Sequence, residues 1–150
     1  MKLAVDAYYT GSKAKVVGVL FENFSDENPL KIISKVVDGV APYESGSFYK
    51  RELPCIVSLL QDLDVRDISL IVIDGFVYLD DDGRYGLGGH LYEHLERRVQ
   101  VVGVAKSPFK GSCKFVREIC RGGSKRPLFI SAIGMDVDEA ARRYDSASST

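Results

Sequence analysis

Apolar residues fall along this chain in short runs broken by polar, glycine and proline residues. Leu3-Ala4-Val5, then Ala7-Tyr8-Tyr9, then Val16-Val17-Gly18-Val19-Leu20-Phe21 flank the turn residues Thr10-Gly11-Ser12, which predicts a hairpin. Leu30 to Val40 begins as a third strand, with Ile32, Ile33, Val36 and Val37. From Glu52 to Leu63 the period changes: Cys55, Ile56, Leu59, Leu60 and Leu63 share one helical face. Pro54 must then lie in the first turn, because proline breaks a helix interior. Leu70-Ile71-Val72-Ile73 reads as a strand buried on both faces. Leu87, Leu91 and Leu95 predict a helix over Tyr85 to Arg98, Val99 to Val104 a second buried strand, and Pro127 to Ile133 a last one. Gly134 breaks that strand, and Asp136 to Glu139 opens a final helix reaching Tyr144. Three strands, then helix, strand, helix, two strands and a final helix predict an α/β fold, a mixed sheet covered by helices.

The 150 residues, 45% hydrophobic and 27% charged, suit one domain over residues 1–145 with a disordered tail at 146–150. The net charge of -1 sets up no global field for a polyanion. Its distribution is uneven. Lys and Arg recur from Lys106 to Arg126 with Glu118 as the lone acid, while Asp recurs from Asp62 to Asp82 with Arg66 as the lone base. Cys55, Cys113 and Cys120 lack paired spacing, and no signal peptide is evident. They read as reduced thiols of a cytoplasmic protein. No apolar run reaches membrane-spanning length.

Several acids stand where chemistry is plausible. Asp74 ends the central strand, at the edge where open α/β sheets place ligands, although Asp74-Gly75 equally reads as a turn. Asp6 sits inside the first strand, where a carboxylate needs a cation or an edge facing water. Glu52 lies at a helix start, which suits its charge with or without a ligand. If the first and fourth strands are neighbours, Asp6, Glu52 and Asp74 converge. Three such carboxylates repel one another and select magnesium or manganese over zinc. A pair of such ions suits phosphodiester cleavage.

Lys106, at a strand end, can meet a phosphate as a point charge. The segment after it, with Lys110 and Lys114, reads as a phosphate-tracking loop or as a solvated basic face. Asp80-Asp81-Asp82 reads as a solvated turn rather than a calcium loop. His90-Leu91-Tyr92-Glu93-His94 matches H-x-x-E-H, in which two histidines bind zinc and the Glu acts as base. The alternative is a helix with His94 near its apolar edge and Glu93 paired to Arg97.

Taken in order, these residues resemble the endonuclease V family. The resemblance rests on Val5-Asp6, on Pro42-Tyr43 through Phe48 to Arg51-Glu52, and on Val72-Ile73-Asp74-Gly75. It continues through Arg84-Tyr85-Gly86-Leu87-Gly88-Gly89-His90-Leu91, Gly103-Val104-Ala105-Lys106-Ser107 and Pro127-Leu128-Phe129-Ile130-Ser131.

The resemblance implies a ribonuclease H-like fold. It implies an endonuclease dependent on Mg2+ or Mn2+ that nicks DNA or RNA, single- or double-stranded, near inosine or deoxyinosine, in DNA repair or RNA processing. Asp6, Glu52 and Asp74 match the family's metal-binding acids, Lys106 its active-site lysine, and Tyr43 the aromatic residue of its strand-separating wedge. Ser45 stands where the wedge has a second proline, and Met135 where a late histidine is expected. Asp136 or Asp138, beside Met135, is a candidate fourth metal carboxylate. The alternatives are a nucleic-acid-binding module of the same fold without cleavage, and a zinc peptidase built on His90, Glu93 and His94.

Overall fold

The computed structural model describes residues 1–24, 26–39, 49–107, 114–120 and 127–147. The strands are β1 (Lys2–Thr10), β2 (Lys13–Phe21), β3 (Lys31–Val37), β4 (Leu70–Asp74), β5 (Gln100–Ala105), β6 (Arg117–Ile119) and β7 (Leu128–Ile133). The helices are α1 (Tyr49–Leu60), α2 (Leu87–His94) and α3 (Val137–Ala147). The strands make one mixed sheet in the order β3-β2-β1-β4-β5-β7-β6. The expected hairpin is β1 and β2, antiparallel with Asp6 opposite Val17. β4 runs parallel to both β1 and β5, whereas β7 is antiparallel to β5. The expected α/β class and mixed sheet are therefore what the chain forms.

Strand alternation gives the sheet two packed faces. Leu3, Val5, Val16, Ile71 and Ile73 meet Cys55, Ile56 and Leu59 of α1 and Leu87 and Leu91 of α2 in one buried cluster. Leu70, Val72, Val102, Ile130 and Ala132 meet Ala140 and Ala141 of α3 in the other. Burying each large aliphatic side chain contributes about 1.5–3 kcal/mol. β4 is buried on both sides, as its unbroken apolar run requires.

Several elements differ from expectation. α1 begins at Tyr49, so Pro54 lies inside the helix, not in its first turn, and Glu52 keeps its place in that turn. α2 stops at His94, although the leucine repeat runs on to Leu95. Glu96 and Arg97 take left-handed backbone angles (φ 57° and 60°), and the Arg97 N–H donates to the Tyr92 carbonyl at 3.0 Å. That bond closes the helix in the way a glycine usually does, without a glycine to announce it. The short strand β6 lies in the segment read as a basic loop. α3 continues to Ala147, two residues into the expected tail, whose remainder lies outside the described residues. Among the described residues, no helix is long and apolar enough to cross a membrane.

Candidate active site

The site forms where β4 ends and β1 continues. The parallel register of β1 and β4 runs to Val5 opposite Ile73. Asp6 and Asp74 are the next residue on each strand, and adjacent strands lie about 4.8 Å apart. β4 stops at Asp74 while β1 runs on to Thr10, which opens a notch beside β1. Glu52, on the first turn of α1, lies close enough to that end of the sheet for the charges of Asp74 and Asp6 to act on it.

Charge couples the three carboxylates. Burial, with Glu52 only 9% exposed, pushes its carboxyl up to about 7. The nearby Tyr9 hydroxyl opposes that rise, whereas Asp74 and Asp6 add to it. Asp74 is also raised, by burial first and by Asp6 second, with Lys106 pulling it down. Lys106 follows Ala105, the last residue of β5, and Asp74 pairs with Val104 on that strand. Asp6, Glu52, Asp74 and Lys106 thus share one electrostatic neighbourhood. The Asp6 carboxylate also accepts a hydrogen bond from the Ala7 N–H at 2.9 Å.

Among the described residues, no three His, Cys, Asp or Glu side chains are grouped so as to hold a metal ion as they stand. The donor set nevertheless fits a hard divalent cation. It is all oxygen, and beyond the effect of burial Asp6 raises the proton affinity of Asp74 and both raise that of Glu52, the mark of a site short of positive charge.

Two residues that sequence reasoning passed over support this corner. The Arg51 guanidinium sits 3.6 Å from the centroid of the Tyr9 ring. The Tyr9 hydroxyl is buried without a well-formed hydrogen bond, beside Glu52 and Cys55. Burial and the charge of Glu52 both push Tyr9 up, so it stays a neutral phenol. The Arg51-Glu52 dipeptide was the available signal, since successive helix residues project to different sides.

The remaining candidates are engaged elsewhere. Asp136 precedes α3 and accepts from the Glu139 N–H at 3.1 Å, an N-cap. Asp138 pairs with Arg117 at 2.7 Å. Neither figures among the charges acting on Glu52 or Asp74. The Lys114 N–H donates to Asp81 at 2.8 Å, and its ammonium lies 5.3 Å from the Phe115 ring centroid. Asp80 accepts from the N–H groups of Asp82 and Arg84, so it builds the turn. Tyr43 and Lys110 lie outside the described residues.

The H-x-x-E-H residues form no metal centre here. His90 stacks on Tyr49 with centroids 3.8 Å apart. Glu93 accepts from the Tyr85 hydroxyl at 2.7 Å and pairs with Arg97 at 2.8 Å, as the alternative reading expected.

Comparison with known proteins agrees with this architecture. The profile of the endonuclease V family matches residues 3–144. The structure is similar to endonuclease V from Ciona intestinalis, solved in complex with a 24mer DNA containing an inosine followed by a ribo-adenosine. That match has a TM-score of 0.79 and 17% identity, and covers 95% of this chain and 75% of the other. The catalytic domain of human endonuclease V matches with a TM-score of 0.73 and 24% identity, over 98% of this chain and 73% of the other. Endonuclease V from Streptomyces avermitilis matches with a TM-score of 0.71 and 22% identity, over 98% and 72%. No curated protein matches the sequence.

Proposed function

The chain belongs to the endonuclease V family, and from that premise we propose that it hydrolyses phosphodiester bonds in nucleic acid near inosine or deoxyinosine, with a divalent cation as cofactor. The observation that carries this reading is the parallel register of β1 and β4, which sets Asp6 beside Asp74, with Glu52 on α1 close enough to feel both charges. Asp6, Glu52 and Asp74 would hold Mg2+ or Mn2+. A cation bound there neutralises charge on the phosphate and makes a water molecule more acidic.

The chain's own residues supply the rest. The Lys106 ammonium faces Asp74 and would oppose the negative charge that develops on the attacked phosphate. Buried Glu52 gives up its proton near neutral pH, which leaves a third anionic oxygen group for the cation. Tyr43 would part the strands beside the lesion. The inosine preference draws support from the Ciona relative, crystallised on inosine-containing DNA.

The test is cleavage of labelled DNA and RNA strands, with and without inosine, in magnesium, manganese or EDTA. We expect metal-dependent nicking that Asp74→Asn abolishes while the circular dichroism spectrum is unchanged. Retained cleavage in that variant refutes the assignment. A second reading, binding without cleavage, is favoured by Ser45 and Met135, which stand where the family has a wedge proline and a late histidine. Salt-sensitive binding with no metal-dependent product would establish it instead.

A further inference from the structure

Among the described residues, the first three strands leave one face open beside the site. Ala4 packs into the α3-side cluster, so Asp6 and Tyr8 point to that same side of β1. The register across β1, β2 and β3 sets out three rows on it: Ala4-Val19-Ile32, Asp6-Val17-Ser34 and Tyr8-Lys15-Val36. Tyr8 is 60% exposed, Val36 60% and Ile32 62%, a concentration of apolar surface on an exposed sheet that folding alone does not explain. Lys15 is exposed as well. It stands directly opposite Tyr8, where cross-strand side chains lie about 5 Å apart.

We propose that this face binds a single strand of nucleic acid next to the bond to be cut, with Tyr8 stacking on a base and Lys15 meeting a phosphate. Three features select that occupant. The row holding Asp6 adjoins the row holding Tyr8, about 7 Å along the strand, so the face is continuous with the proposed site. An exposed ring beside a cation on an open sheet suits an unpaired base and its phosphate. Lys13, one row further on, adds positive charge, although it lies 3.7 Å from Asp38. A paired duplex buries its base faces and cannot use the ring in this way.

The inference rests on the nuclease reading for its choice of ligand, and its test separates the two. Single strands carrying 2-aminopurine at successive positions around inosine are titrated with the full chain in EDTA. One position should quench on binding. Tyr8→Ala should remove that quenching and weaken binding about tenfold, while Tyr8→Trp keeps both. Lys15→Ala should reduce the slope of log affinity against log salt by about one.

Native-like binding and quenching by Tyr8→Ala would overturn the proposal. So would a native chain that binds no oligonucleotide, or a native dimer in sedimentation that Tyr8→Ala turns into monomer. A chain that binds and quenches but cuts nothing in magnesium sinks the nuclease reading and leaves this face standing.

Discussion

The Ser131 hydroxyl on β7 accepts a hydrogen bond from the Val77 N–H at 3.0 Å, and both residues are fully buried. The Val77 carbonyl in turn accepts from the Gly86 and Gly89 N–H groups at the start of α2. The chain leaving Asp74 is thus tied to a strand two places away in the sheet and to the following helix. Ser131→Ala leaves the Val77 N–H buried without its acceptor, which costs about 1–3 kcal/mol. Denaturant unfolding should show that loss. Cleavage should fall as well, because the tether that orients the end of β4 is gone.

Gly103 occupies the neighbouring position on β5. A Cβ there would lie 2.5 Å from the Gly75 carbonyl oxygen and 2.8 Å from the Ser131 hydroxyl. The first of these is backbone and cannot step aside as a flexible side chain does. Gly75 itself has φ of 134°, a conformation that side chains resist, so the turn after Asp74 has little freedom to adjust. Gly103→Ala should therefore destabilise the fold by about 1–3 kcal/mol. It should also lower kcat more than Ser131→Ala does, since it pushes directly on the turn carrying Asp74. Parallel kinetic and unfolding measurements on the two variants check the order.

Glu52 links pH to both stability and metal affinity. Its carboxyl rises from an ordinary 4.5 to about 7 in the folded chain, so between those values the native state binds the proton that the unfolded state has released. Stability is then fully present below about 4.5 and is lost as pH rises towards 7. In EDTA the melting temperature should fall across that window, and Glu52→Gln should flatten the fall. Added magnesium at pH 8 should restore stability to the native chain and far less to the variant. A native melting curve indifferent to pH from 5 to 7.5 would mean that Glu52 carries no such strain.

The sheet was legible because its strands are marked by β-branched runs, and β4 above all by a run apolar at every position. Asp74 at a strand end and Glu52 at a helix start were legible by position alone. What joins them was not. Asp6 and Asp74 become neighbours only because β4 inserts beside β1, a pairing across more than sixty residues that no local pattern reports. The early end of α2 was hidden for a different reason: Glu96 and Arg97 turn the chain with left-handed angles that their side chains do not signal. Tyr9 was read only as strand filler, and its place against Arg51 and Glu52 depends on where α1 docks. Asp138 pairs with Arg117, a contact between α3 and β6 that its place in the sequence does not announce.

Lys106 acts on Asp74 before it acts on any phosphate. Its charge opposes the upward pull of burial and of Asp6, and so keeps Asp74 ionised at lower pH than its surroundings favour. Lys106→Met removes that help, so Asp74 holds its proton to higher pH. Metal affinity and cleavage both require the ionised carboxylate, so the acid limb of the pH–rate profile should move upward in the variant. The plateau at high pH should also drop, by roughly a hundredfold, since a charge aimed at the developing phosphate charge is lost. The two effects separate by measurement. Magnesium titrations at pH 6 and pH 8 report the first, and the kcat plateau above pH 8 reports the second. A lowered plateau with an unmoved acid limb would confine Lys106 to the phosphate and leave Asp74 governed by burial and Asp6 alone.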